Sequence, residues 1–145
     1  MSHDPFDLER FVAAQDAHET YARALDELRS GAKRSHWMWF VFPQIAGLGS
    51  SPMAQRYAIR SLDEATAYLT HPVLGARLRE CVATLNALPT GNAVEVFGGI
   101  DAMKLRSSLT LFLRAAPGDE ALARALEKFF GGVPDRRTLD LLGAT

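Results

Sequence analysis

Six consecutive apolar residues, Trp37-Met38-Trp39-Phe40-Val41-Phe42, limit what this chain can fold into more than any other stretch. Neither the strand period nor the helix period gives such a run a polar face, so it is expected to be buried on all sides and to anchor the core. It holds both tryptophans of the chain and two of its eight phenylalanines. Each fully buried aromatic contributes roughly 2–3 kcal/mol by transfer bookkeeping. The run is flanked by Ser35, His36 and Gln44, and Pro43 stops the element. Buried indole N–H and imidazole groups need hydrogen-bond partners, and aromatic walls with a few polar tips also describe a ligand pocket. The run therefore has two readings, core anchor and binding wall.

The 145 residues fit one domain, residues 1–145, with enough chain to bury a core unaided. A composition of 48% hydrophobic and 23% charged residues excludes an intrinsically disordered chain. A net charge of −1 provides no global field toward nucleic acid or an anionic membrane, so neither is expected as a partner. The single cysteine, Cys81, excludes an intramolecular disulfide and a cysteine-cluster metal site. No apolar run approaches a membrane span and the first residues carry no signal-peptide pattern, so a cytoplasmic location is expected.

The periodicities predict an all-α fold of about seven or eight helices, with an extended conformation near Trp37–Phe42 as the one alternative. Residues 5–30 read as helix, with Asp16-Ala17-His18 as a point where it can divide, and Gly31 as its stop. Glu19, Asp26 and Glu27 fall on its expected wet face. Ser51 is placed to cap and Pro52 to begin a short helix from Met53 to Ile59. Ser61 and Glu64 form a capping-box pattern opening a helix through Leu69. After Thr70-His71-Pro72, the positions Leu74, Leu78, Cys81, Val82 and Leu85 define a further helix, with Gly75 marking close packing. Ala93–Phe97 reads as a turn of helix, Asp101 as the cap of the next, and Asp119–Phe130 and residues 134–142 as the last two.

The glycine-rich approaches Gly47-Leu48-Gly49-Ser50-Ser51-Pro52 and Gly98-Gly99-Ile100-Asp101 suit anion binding through free backbone N–H groups, although neither has a Walker or dinucleotide pattern. Lys104 precedes Ser107 and Ser108 by three and four positions, so an ammonium and a hydroxyl share one helix face. Such a pair supports either a polar binding face or, with a desolvated lysine, a nucleophile. His36 or Asp101 would serve as an acid–base group. The four histidines lack metal-ligand spacing, so no metal and no cofactor are expected.

The run Lys33-Arg34-Ser35-His36-Trp37-Met38-Trp39-Phe40-Val41-Phe42-Pro43-Gln44 is accompanied by Gly47-Leu48-Gly49, Tyr57-Ala58-Ile59, His71-Pro72-Val73-Leu74-Gly75 and Phe97-Gly98. Together with Lys104 and Ser107-Ser108-Leu109-Thr110-Leu111-Phe112, it resembles the bacterial family catalogued as domain of unknown function 1810, over nearly the whole chain. The resemblance implies a compact, mostly helical cytoplasmic protein and brings no activity with it. Some members carry a calpastatin label; a globular composition without a T-I-P-P-x-Y-R type motif argues against that label here. The reading that combines these observations is a helical protein binding a small polar or anionic, nucleotide-like ligand beside the aromatic run. His36, Trp37, Trp39, Gln44, Gly49, Ser51, Lys104, Ser107 and Ser108 are the candidate site residues, and His36, Gln44 and Lys104 are expected to converge. The alternatives are a protein-interaction module, with a protein partner or a second copy, and a hydrolase of nucleotide or ADP-ribose-type compounds.

Overall fold

A computed structural model describes residues 4–143. Near the start of the described residues, the two carboxylate oxygens of Asp4 accept the N–H groups of Leu8 and Glu9 at 2.8 and 2.9 Å. Helix α1 spans Glu9–Asp16 and α2 spans Thr20–Arg29, separated by a 3-10 turn at Ala17–Glu19. The predicted division falls where His18 and Glu19 take left-handed φ values of 53° and 56°. The aromatic run makes only one helical turn, α3 (Met38–Val41). It is not extended. A single turn gives it two sides: Trp37, Met38, Val41 and Phe42 are buried, while Trp39 and Phe40 stay partly exposed, which corrects the expectation of burial all round.

Helix α4 (Pro52–Arg56) carries the predicted Ser51 cap, whose hydroxyl accepts the N–H of Ala54 at 3.1 Å. It ends before the predicted Ile59, because Tyr57-Ala58-Ile59 leaves the helix to pair with the segment after the aromatic run. Helix α5 (Leu62–Thr70) opens with half of the capping box, Glu64 N–H donating to the Ser61 hydroxyl, while the Glu64 carboxylate reaches one residue further back and accepts the N–H of Arg60 at 3.1 Å. The second carboxylate oxygen of Glu64 pairs with Arg10 at 2.8 Å, tying α5 to α1.

Helix α6 (Leu74–Ala87) starts below His71, whose Nδ1 accepts the N–H groups of Val73 and Leu74. A Cβ on Gly75 would lie 2.1 Å from the carbonyl oxygen of Leu69, so the predicted close approach is met. Helices α7 (Ala93–Phe97), α8 (Gly99–Ala115), α9 (Glu120–Phe130) and α10 (Arg136–Leu141) complete the chain. Asp119 and Asp135 cap α9 and α10.

Helix α8 is the axis of the fold, in contact with α3, α5, α7, α9 and α10. Its residues Ser107 to Phe112 are all buried, as expected of a helix covered on every side. It begins at Gly99, three residues earlier than the Asp101 cap predicts, because Gly98 turns the chain with φ 79° and leaves Asp101 inside the first turn. The fold is all-α, with ten α-helical segments among the described residues. The excess over eight comes from the split first helix and the one-turn piece α3. No described helix is long and apolar enough to cross a membrane.

Candidate functional site

The site begins with a single rung of parallel pairing between Ile45 and Ile59. Ile59 N–H donates to Gln44 O and Ala46 N–H donates to Ile59 O, both at 2.8 Å. Both isoleucines are buried. The rung brings its flanking residues Gln44, Ala46, Ala58 and Arg60 together, and they share a wall with Ile45. These four, with Trp39, Gly47, Gly49, Gln55 and Tyr57 among others, line a cavity of about 150 Å³.

Two glycines shape its wall. Gly47 has φ +105°, and a Cβ there would meet Leu141 of α10 at 3.1 Å. A Cβ on Gly49 would fall 2.6 Å from the Cβ of Ala54, so only glycine lets the loop approach α4 this closely.

The cavity is rich in donors. Among the described residues, the Trp39 indole N–H, the Gln44 amide, the Tyr57 hydroxyl and the Arg60 guanidinium make no hydrogen bond to protein, nor do the N–H groups of Gly47 and Gly49. No carboxylate lines it. Gln55 is already engaged, donating to Ser50 O at 2.9 Å.

Behind the cavity, the aromatic run meets a charged cluster. Lys104 Nζ lies 5.3 Å from the centroid of the Trp39 ring and 3.4 Å from Asp101 Oδ1. The other oxygen of Asp101 pairs with Lys33 at 2.9 Å, and Lys33 lies 5.0 Å from the Trp37 ring centroid. One carboxylate thus holds two ammonium groups, each over a tryptophan, a cation–π arrangement worth roughly 0.5–2 kcal/mol per pair. The Lys33 side chain is only 6% exposed.

Glu27 lies against the aromatic run, inside the protein rather than on the wet face of the first helix. Its carboxylate accepts the N–H groups of Arg34 and Ser35 at 2.7 and 3.0 Å, the Ser35 hydroxyl at 2.6 Å and the Trp37 indole at 3.0 Å. Burial by itself would raise its pKa; these four hydrogen bonds outweigh it and hold the carboxyl at about 2.

The candidate residues therefore separate. Trp39, Gln44 and Gly49 line the cavity, and Lys104 touches it through Trp39. Trp37 is buried with its indole on Glu27, Ser51 caps α4, and the Ser107 hydroxyl donates to Met103 O at 3.1 Å. Ser108 Oγ is buried with no hydrogen-bond partner among the described residues. Lys104 bonds to neither serine, and Asp101 is occupied by its two lysines. His36 is exposed, and neither it nor Lys104 lines the cavity, so the expected convergence of His36, Gln44 and Lys104 does not occur; Arg60 and Tyr57 stand beside Gln44 instead. Arg60 is one of the cations, with Lys33, Arg34 and Arg56, that bracket the aromatic run in the sequence; Tyr57 and Glu27 left no mark of their positions.

This is an all-α protein with one central helix and a small donor-lined cavity against its aromatic segment. The chain belongs to the family described as protein of unknown function DUF1810, whose model matches residues 5–142. It is similar to a conserved hypothetical protein, Rv1873, from Mycobacterium tuberculosis, known from a crystal structure at 1.38 Å. The two share 53% identity and a TM-score of 0.93, over 98% of this chain and 100% of the other. No curated protein gives a significant match.

Proposed function

We propose that the protein binds a small molecule through an anionic end, a phosphate or carboxylate, seated in the cavity between Trp39, Gln44 and Arg60. The observation that carries this reading is the set of donors without protein partners on a wall that holds one cation and no carboxylate. Partly enclosed donors gain most from a charged acceptor, since hydrogen bonds to ionised groups contribute about 1.5–3 kcal/mol against about 1 kcal/mol for neutral ones. The volume of about 150 Å³ is roughly that of five waters at their liquid share of about 30 Å³ each, and it lies below the size of a whole-ligand pocket. The cavity accordingly takes the end of a ligand, and the rest lies outside.

The test is a thermal-shift series on the full chain with inorganic phosphate, pyrophosphate, AMP, ADP-ribose and citrate. It is repeated on Arg60→Gln and Gln44→Ala, with Arg124→Gln on the exposed side of α9 as control. A compound at 100 times its dissociation constant stabilises the fold by about 2.7 kcal/mol, well within detection for a chain of this size. Shifts in the wild type and the control that vanish in folded Arg60→Gln support the reading. Absence of any shift, or shifts indifferent to both cavity variants, removes it.

A further inference from the structure

The most exposed large apolar side chains gather around a second depression. Ile100, Met103, Val94 and Val133 are 75%, 70%, 59% and 54% exposed. Val94 and Met103 line a groove of about 490 Å³ between α7, the first half of α8 and the end of α9, together with Phe129, Phe130 and Arg106. Ile100 precedes Met103 by one helical turn on the same face of α8, and the carbonyl of Val133 accepts Arg106 Nε at 2.8 Å. Clustered exposure of this kind marks an interaction surface, whereas scattered apolar residues would not.

The groove also has a charge preference. Arg106 is the one charged residue in its lining; its guanidinium carbon lies 5.8 Å from the Phe130 ring centroid, and its two terminal nitrogens have no hydrogen bond or ion pair among the described residues. At the other end stands the N-terminus of the 17-residue helix α8, where Gly98 offers no capping side chain and the N–H groups of Gly99 and Ile100 find no acceptor among the described residues. Seven residues separate Gly99 from Arg106, about 10 Å along the axis. Both ends of an apolar floor thus favour negative charge. Of the carboxylates on α7 and the start of α8, Glu95 accepts the Thr90 hydroxyl at 2.9 Å and Asp101 holds Lys33 and Lys104.

We infer that this groove docks a short acidic, amphipathic segment of a partner protein, with apolar side chains on Val94, Met103 and Phe130 and a carboxylate on Arg106. The mode is the familiar one in which apolar anchors supply affinity and a charge-assisted bidentate pair fixes register. The site is separate from the Trp39–Arg60 cavity and does not depend on it.

The test is selection from a random dodecapeptide library displayed on phage, panned in parallel on the full-length wild type, Met103→Asp, Arg106→Gln and Arg60→Gln. Enriched sequences should combine large apolar residues with Asp or Glu. As synthetic peptides they should bind the wild type and Arg60→Gln equally and lose at least tenfold in affinity on Met103→Asp and on Arg106→Gln. Met103 is exposed, so its variant should fold, which circular dichroism checks. Three results overturn the inference: no enrichment that depends on Met103, enriched peptides without carboxylates, or concentration-dependent dimerisation in sedimentation that Met103→Asp abolishes, which would assign the groove to a second copy.

Discussion

Glu27 accepts the indole N–H of Trp37 at 3.0 Å, and with that bond the carboxylate of one helix fixes the orientation of the largest buried side chain in the core. The same carboxylate takes the backbone N–H groups of Arg34 and Ser35. It therefore folds the linker between α2 and α3 around itself.

Stability should consequently fall in acid through Glu27. Its carboxyl sits at about 2 in the folded protein against an ordinary value of 4.5, so the stabilisation is fully present above the unfolded value and is lost as pH falls from there toward 2. The shift corresponds to something on the order of 3 kcal/mol. Chemical denaturation at pH 7 and pH 3 should show a smaller acid loss in Glu27→Gln than in the wild type. Equal losses would mean that other carboxylates govern the acid limb.

Asp101→Asn should destabilise more than Lys104→Met. The first leaves the nearly buried Lys33 ammonium without a counter-charge, the second removes a partly exposed cation and its stacking on Trp39. Expected losses are about 2 kcal/mol and about 1 kcal/mol, discounted for the partial exposure of Asp101. Urea midpoints of the two variants check the order, and the reverse order would show that the Lys33–Asp101 pair is solvated.

Gly49→Ala should cost roughly 1–3 kcal/mol, since its new Cβ would lie 2.6 Å from that of Ala54 and backbone must shift to admit it. The double variant Gly49→Ala with Ala54→Gly relieves the contact, so its loss should be smaller than the sum of the two single losses. Strict additivity would place the strain elsewhere.

Cys81 should resist thiol reagents in the native protein. Burial pushes its thiol up to about 12, against a smaller lowering by its contact with the Tyr21 hydroxyl. At pH 8 almost no thiolate is present, and the sulfur is covered. Labelling should follow unfolding and accelerate in Glu27→Ala; labelling of the wild type at the rate of a free thiol would contradict the burial.

Local chemistry was legible in the sequence wherever it acts within a few residues. The Ser51 and Ser61 caps, the break near His18 and the close packing at Gly75 all depend on neighbours a turn or two away. Periodicity identified the helices but not the single turn at Met38–Val41, because a six-residue apolar run carries no phase. Glu27 misled for a related reason: its side of α2 looked polar, and only the returning linker, seven to ten residues later, buries it. The cavity needed a longer connection still, since Gln44 and Arg60 meet through one rung of pairing that leaves almost no pattern in the chain. Gln44 was legible as a candidate because it borders the aromatic run, whereas the donors opposite it lie on a segment that the capping signals of α4 and α5 had assigned to helix and turn.

The Ile45–Ile59 rung has a consequence for how the wall of the cavity opens. That wall is held by two backbone hydrogen bonds, by Arg10 of α1 donating to Arg56 O and Ala58 O at 2.9 and 2.8 Å, and by Ile45, Tyr57 and Ile59 in the core, a smaller set of contacts than surrounds helix α8. Local opening free energies rise with how much is broken, so the amides of Ala46 and Ile59 should exchange with deuterated solvent before those of α8. Opening of this seam beside the aromatic segment should therefore precede that of the central helix.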